Sequence, residues 1–228
     1  MPTIISIEGN IGSGKSTFIK YLKKYTNDII HPSVYSITFI QEPVDEWKTI
    51  QDSNGESILE KFYANQKEYA FSFQIMAYIT RLRKIVDAIE LNPEGIFICE
   101  RSLETDKYVF AQMLYNDHKI REIDWIIYNY WFDTFVDKIK TNKIIYIQTS
   151  PDKCYHRIKQ RDRTGESNIP LEYLQNCHDY HERWLRDTHS THTTITTIDG
   201  NIDIHDTTTY EAVLQITLQE ILEEYCKQ

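Results

Sequence analysis

Glycine is scarce in this chain, at seven of 228 residues, against a usual share of about 7%. Three of the seven, Gly9, Gly12 and Gly14, crowd into six positions near the N-terminus, so one loop holds much of the sequence's freedom to turn sharply. Cysteine is also thin. Cys99, Cys154, Cys177 and Cys226 are far apart and form no C-x-x-C pair, which argues for reduced thiols in a cytosol-like compartment rather than a disulfide framework. Long apolar runs are missing, and a helix needs about 20 apolar residues to span a bilayer. The start, Met-Pro-Thr-Ile-Ile-Ser-Ile, lacks the basic segment and long apolar stretch of a secretory leader. A basic excess is absent too: Lys and Arg total 25 against 34 Asp and Glu, a net charge of −9. That excludes a general polynucleotide-binding surface, but a local cationic pocket in an acidic protein still takes a small anion. The expectation is a cytoplasmic protein with neither membrane nor polynucleotide as partner.

What is present is ordinary globular material. The chain is 41% hydrophobic and 26% charged, and its length favours a single domain over residues 1–228. Residues 3–8 read as a strand, 9–14 as a glycine turn, and 15–25 as a helix with Phe18, Tyr21, Leu22 and Tyr25 on one face. Further strands are predicted at 34–41, 95–100, 143–148 and 193–198. Helices are predicted at 57–65, 67–90, 103–115, 122–139, 151–163, 170–187 and 206–226. Strands alternating with helices imply an α/β fold, a five-stranded parallel sheet with helices on both faces.

The strongest local signal is Gly9-Asn10-Ile11-Gly12-Ser13-Gly14-Lys15-Ser16-Thr17. It fits G-x-x-x-x-G-K-[ST] in the required setting, after a strand and opening a helix. Glycines let backbone N–H groups curl round phosphate oxygens, and the helix N-terminus adds partial positive charge. Lys15 would reach the β- and γ-phosphates, and the Ser16 hydroxyl would ligate Mg²⁺. No N-K-x-D base-reading segment of the GTPase kind is present. Three other segments add chemistry. Glu42 in Gln41-Glu42-Pro43-Val44 ends the second strand, where open parallel sheets bind ligands. Glu100-Arg101-Ser102 ends the third. Arg157, Arg161 and Arg163, followed by Glu166, make an arginine-rich lid at about 157–168.

These motifs, with F-x-F-Q at 71–74 and I-P-L-E-Y-L at 169–174, resemble the deoxynucleoside kinase family from residue 3 to about residue 205, its deoxycytidine and deoxyguanosine kinase branch most. The resemblance implies a P-loop kinase fold, transfer of the ATP γ-phosphoryl group to a deoxynucleoside 5′-hydroxyl with Mg²⁺, and a role in nucleotide salvage. It implies Glu42 as general base, Arg101 as the group that fixes Glu42 and balances developing charge, and Glu100 as a partner of Mg²⁺, partly through water. Arg157, Arg161 and Arg163 match the lid arginines that close on ATP phosphates, and Asp203-Ile204 match the loop against the donor adenine. A homodimer through helices, and a cytosolic or viral enzyme (acting in the host cytoplasm if viral), are further implications.

For the acceptor, Trp47, Leu59, Phe62, Tyr63, Phe73 and Phe110 match positions lining the family's nucleoside site. Tyr63 and Glu166 match the groups bonding the 3′-hydroxyl, and Gln74 matches the glutamine reading the base edge, its amide offering a donor and an acceptor together. Arg81 and Asp106 match a charged pair that would fill the volume a thymine 5-methyl group needs. Deoxycytidine or a purine deoxynucleoside is therefore expected to be preferred over thymidine. Phe62 is bulkier than that branch leads one to expect.

Two rival readings stay open at this stage: a nucleoside monophosphate kinase of thymidylate kinase type, and a nucleotide-dependent binding protein without catalysis. Against the first, Glu42 is a poor neighbour for a phosphate dianion. Against the second, Lys15, Glu42 and Arg101 are all intact. The aromatic stripe from Tyr128 to Phe135 reads as a helix–helix contact, and Cys177-His178-x-x-His181 lies on a predicted helix without a metal-site spacing.

Overall fold

In the computed structural model, which describes residues 1–31, 34–136, 139–161, 166, 169–188, 193–202 and 206–227, five parallel strands run through the centre of the protein. They are β1 (Thr3–Glu8), β2 (Ile37–Ile40), β3 (Ile96–Glu100), β4 (Lys143–Gln148) and β5 (Thr194–Asp199). Their order across the sheet is β2-β3-β1-β4-β5. The registers are continuous: Ile5 pairs with Ile98 on one side and with Lys143 on the other.

β1, β3 and β4 are near-unbroken runs of β-branched and aromatic residues because both their faces are covered. Ile5, Ile7, Ile96, Ile98, Ile145 and Ile147 point to one face and pack against Phe18, Ile19 and Leu22 of α1 (Lys15–Ile29) and Leu214, Leu218 and Ile221 of α10 (Thr207–Tyr225). Ile4, Ile40, Phe97 and Cys99 point to the other, against α4 (Gln66–Leu91) and α7 (Glu122–Phe135). Ile144 and Tyr146 meet α8 (Pro151–Arg161) and α9 (Leu171–Thr188). β5, an edge strand, is rich in threonine, and its Thr196 hydroxyl donates to Glu220 of α10 at 2.6 Å.

Helix starts are written locally. Ser57 and Glu60 form a reciprocal capping box at α3 (Ile58–Ala64), and the Asn65 side chain caps α4 by accepting from the Glu68 N–H. A short helix, α2 (Val44–Thr49), follows Pro43; it has no counterpart among the elements expected from sequence, because six residues are too few to show a period. The predicted helix at 103–115 is a composite. It begins as α5 (Leu103–Thr105), widens into a π-helical stretch at Asp106–Ala111 and closes as α6 (Gln112–Asn116). Such widened turns gather at functional sites, and this one carries Asp106 and Phe110.

The connections leaving the parallel neighbours β1 and β3 run to opposite sides of the sheet. β1 leads towards β2 on one side, and β3 leads over to β4 on the other. In open parallel sheets ligands bind beyond the carboxyl ends of the strands at such a point. The segments after β1, β2 and β3 all open there.

Candidate active site

A cavity of about 830 Å³ opens at that edge. Its walls carry residues 11–17 of the glycine loop, Glu42, Glu100 and Arg101 from the strand ends, Arg157 and Arg161 of α8, and Glu166 beyond it. Trp47, Leu59, Phe62, Tyr63, Phe73, Gln74, Arg81, Asp106 and Phe110 line it as well. Of the residues singled out from the sequence, Arg163, Asp203 and Ile204 lie outside the described residues, as does half of the lid. Gly9 and Asn10 stand behind the loop: the Asn10 amide donates to the Leu174 carbonyl at 2.8 Å and its oxygen accepts from the Ile11 N–H at 2.8 Å, anchoring the loop to α9.

The donor end is built round Lys15. Its ammonium donates to the carbonyls of Gly9 at 3.0 Å and Asn10 at 2.8 Å. Burial, helped by the charge of Arg101, lowers its pKa to about 7. A cation held at such a cost in desolvation favours an arriving anion. Among the described residues the buried Ser13 hydroxyl has no hydrogen-bond partner. Arg157 donates to the Ser13 carbonyl at 2.8 Å and to the Gly200 carbonyl at 3.0 Å, which joins the loop to the end of β5. Ser16 donates to Glu100 Oε1 at 2.6 Å. This hydroxyl and carboxylate, at the first turn of α1, are hard oxygen donors of the kind Mg²⁺ takes, with substrate phosphates completing its shell. The residues fit that ion, and Ser16 and Glu100 would hold it.

The acceptor end centres on Glu42. Arg101 donates to Glu42 Oε1 at 2.6 Å and Arg81 donates to the same oxygen at 3.1 Å. Burial alone would raise the Glu42 pKa; Arg101, then Arg81 and Lys15, overturn that and hold it at about 2. Glu42 is thus a carboxylate at any physiological pH. Arg81, itself buried, does three things at once: besides Glu42, it donates to Asp106 through Nε at 2.8 Å and a second nitrogen at 3.2 Å, and to the Glu100 carbonyl at 2.7 Å. The sequence marked Arg81 and Asp106 for the base; the structure also makes Arg81 the clamp between the ends of β2 and β3. The Arg101 guanidinium lies 5.0 Å above the Phe110 ring.

Aromatic side chains form the rest of the acceptor wall. Phe62 stacks on Phe73 at 4.5 Å, and Trp47 meets Phe73 edge-on at 5.3 Å. The Trp47 indole N–H donates to the Thr80 hydroxyl at 2.9 Å, which fixes its ring. Glu166 is buried and bonded by Arg161. Tyr173, which the sequence reading missed, also lines the cavity; it falls in I-P-L-E-Y-L, where its helical spacing looks like plain core. Glu8 was missed as well. It ends β1, is fully buried, and accepts from the Ser102 N–H at 2.9 Å and the Thr105 hydroxyl at 2.5 Å. A charged residue directly before the glycine turn was the signal that could have found it.

A glycine-loop strand-to-helix turn, a lysine at its end and a carboxylate–arginine pair across the cleft define a P-loop kinase fold. The deoxynucleoside kinase family model matches residues 5–223. A protein of fowlpox virus named "Probable deoxycytidine kinase" is 35% identical over 225 residues, covering 96% of this chain and 88% of its own length. Human deoxycytidine kinase is 35% identical over 236 residues, 92% of this chain and 88% of its own. The mitochondrial deoxyguanosine kinase of Xenopus laevis is 29% identical over 199 residues, 79% of this chain and 72% of its own. The chain belongs to the deoxynucleoside kinase family, ATP-dependent phosphotransferases with an alcohol acceptor.

Proposed function

We propose that this kinase moves the γ-phosphoryl group of ATP to the 5′-hydroxyl of deoxycytidine or a purine deoxynucleoside in preference to thymidine. The observation that carries the reading is the shared grip of Arg101 and Arg81 on Glu42 Oε1, opposite the phosphate loop in one cavity. Glu42, with a pKa near 2, is a weak base for an alcohol at rest. Phosphoryl transfer asks little of it early, because in its loose transition state the attacking oxygen becomes acidic only late. Glu42 therefore orients the hydroxyl and takes its proton as the new bond forms. Lys15, Arg157, Arg161 and Arg163 hold the donor phosphates, and Arg101 balances charge on the transferring group. Ser16 and Glu100 would hold Mg²⁺, which would supply charge neutralisation to the donor phosphates. By the family resemblance, Asp203 and Ile204 would be the contacts to the donor base.

The base preference rests on Arg81 and Asp106. Locked together and buried at the cavity wall, they leave a polar, filled corner rather than an apolar notch for a 5-methyl group, and relatives are named as deoxycytidine and deoxyguanosine kinases. Gln74 reads the base edge while the ring lies among Trp47, Phe73 and Phe110; Leu59 and Phe62 back it, and Tyr63 with Glu166 takes the 3′-hydroxyl. A monophosphate acceptor would set a dianion against Glu42, and the family match favours neither rival reading.

The single domain spans residues 1–228 and works as a homodimer. Support for the dimer is the outer face of α7, where Ile123, Ile126, Ile127, Tyr130 and Trp131 are all exposed on neighbouring turns, with Ile79 of α4 exposed as well. Among the described residues no helix is long and apolar enough to cross a membrane, and four unpaired cysteines support a reducing, cytoplasmic setting. The test is transfer from Mg·ATP to the four deoxynucleosides and their monophosphates. Deoxycytidine or a purine deoxynucleoside should give the highest kcat/KM, and Glu42→Gln should lower kcat by about 10²–10⁴. Thymidine matching the best substrate would overturn the base preference, and turnover intact in Glu42→Gln would overturn the mechanism.

A further inference from the structure

Arg101 stands in an uncommon backbone state. Its φ is +67°, the left-handed region where a side chain crowds the following carbonyl, and Arg has no local polar trick to ease it. Non-glycine residues stay there only when their surroundings over-determine the geometry. Two bonds do so here. The Arg101 N–H donates to the Ile7 carbonyl at 3.1 Å, and the next N–H, of Ser102, donates to Glu8 Oε1 at 2.9 Å. The other Glu8 oxygen accepts from Thr105 at 2.5 Å, and the Thr105 N–H donates back to the Ser102 hydroxyl at 3.2 Å. Residues 7 and 8 of β1 thus pin residues 101, 102 and 105, and Glu8 holds the last two at once.

The consequence lies on the cavity side. With φ positive, the Arg101 side chain leaves the strand end towards the cleft, where it reaches Glu42 at 2.6 Å and lies over Phe110. A fully buried carboxylate is costly unless its partners satisfy it, and the Glu8 carboxylate spends its two oxygens on this one turn. From this we propose that Glu8 is a positioning residue for the phosphoryl transfer: it touches no substrate and acts by holding the Arg101–Ser102 turn in the conformation that aims Arg101 at Glu42. The inference rests on the kinase reading above.

The mechanism predicts what each replacement does. Gln keeps an acceptor for the Ser102 N–H, and the Thr105 hydroxyl can turn to accept from its amide. Met has nearly the same length and no acceptor of comparable strength. Steady-state kinetics of the full-length protein with Mg·ATP and its best deoxynucleoside should therefore find Glu8→Gln within about threefold of wild-type kcat, and Glu8→Met at least tenfold lower with KM for ATP little changed. The Met loss should vanish when Arg101 is already Lys, because Glu8 acts through Arg101. Thr105→Val, which strips one bond from the cluster and preserves shape, gives the same cycle in milder form should Glu8→Met fail to fold. Wild-type kcat in Glu8→Met would overturn the proposal. So would a Glu8→Gln loss as large as that of Met, or a Met or Val loss undiminished in the Arg101→Lys background. Failure of the kinase reading would show separately, as wild-type protein that does not phosphorylate deoxynucleosides.

Discussion

Burial decides the charge of the side chains behind the cavity, and His181 is the extreme case. It is fully buried in α9, stacked on Tyr146 and edge-on to Phe110, with Nδ1 2.7 Å from the Cys177 carbonyl. Since that carbonyl only accepts, Nδ1 carries a proton, and Nε2, buried with no partner among the described residues, carries none. Desolvation, aided by the charges of Arg101 and Lys15, lowers the His181 pKa to about 3. The unfolded chain therefore binds a proton below pH 6.5 that the folded protein does not, so stability contributed by neutral His181 is complete above 6.5 and falls away towards pH 3. The slope reaches about 1.4 kcal/mol per pH unit. Thermal denaturation from pH 4.5 to 7.5 should show His181→Phe, which keeps the ring contacts, losing less stability on acidification than wild type. Parallel curves for the two proteins would disprove this.

Among the elements, two glycines separate strain from crowding. Gly55, with φ +81° in the turn before α3, has open space where a Cβ would stand. Ala there should cost about 1–2 kcal/mol of backbone strain. Gly12, with φ +77°, would push a Cβ to 2.6 Å from the Cys154 carbonyl and 2.9 Å from Ile158, so Gly12→Ala adds about 1–3 kcal/mol of overpacking. The melting point of Gly12→Ala should fall further than that of Gly55→Ala, and only the former should weaken ATP binding, since α8 and the loop must part to admit the methyl group. Equal melting points would show that the loop yields freely. Elements of this kind were legible from sequence because their local rules were strong: β1 and β4 agree residue for residue with the expected strands, and α4 differs from its expected span by one residue at each end. Where the rules weaken, the reading blurred. β2 is half the predicted length and only Ile40 of it is buried. The π-helical turn at 106–111 leaves no trace in the apolar spacing. Glu8 was absorbed into a strand pattern that records alternation, not charge.

At the scale of the whole molecule, the sheet order was not readable at all, since it depends on which connection crosses over β1. The composition of the cavity was more accessible, because motif spacing fixes which residues follow each strand. The joint grip of Arg81 on Glu42, Asp106 and the Glu100 carbonyl emerges only when α4, β2 and β3 are assembled. Assembly between copies has a direct check. With Tyr128 and Phe132 turned into the core, the opposite face of α7 carries Ile126 and Tyr130 to solvent. Sedimentation of the wild-type protein at micromolar concentration should give a dimer, and Ile126→Glu with Tyr130→Glu should give a folded monomer. A wild-type monomer under the same conditions would rule the dimer out.

The chain has four tryptophans, and of these Trp47 alone is on the cavity wall. Its indole is tied at the N–H by Thr80 and braced by Phe73, so the ring has little freedom and a near-constant surrounding until something flat is laid beside it. The protein therefore carries its own optical reporter. Addition of a deoxynucleoside should change tryptophan emission saturably, with the change lost in Trp47→Phe, while ATP alone, held at the far end by Lys15 and the loop, should leave that part of the signal still. Acceptor and donor occupancy thus become separable in a single cuvette, with no label attached.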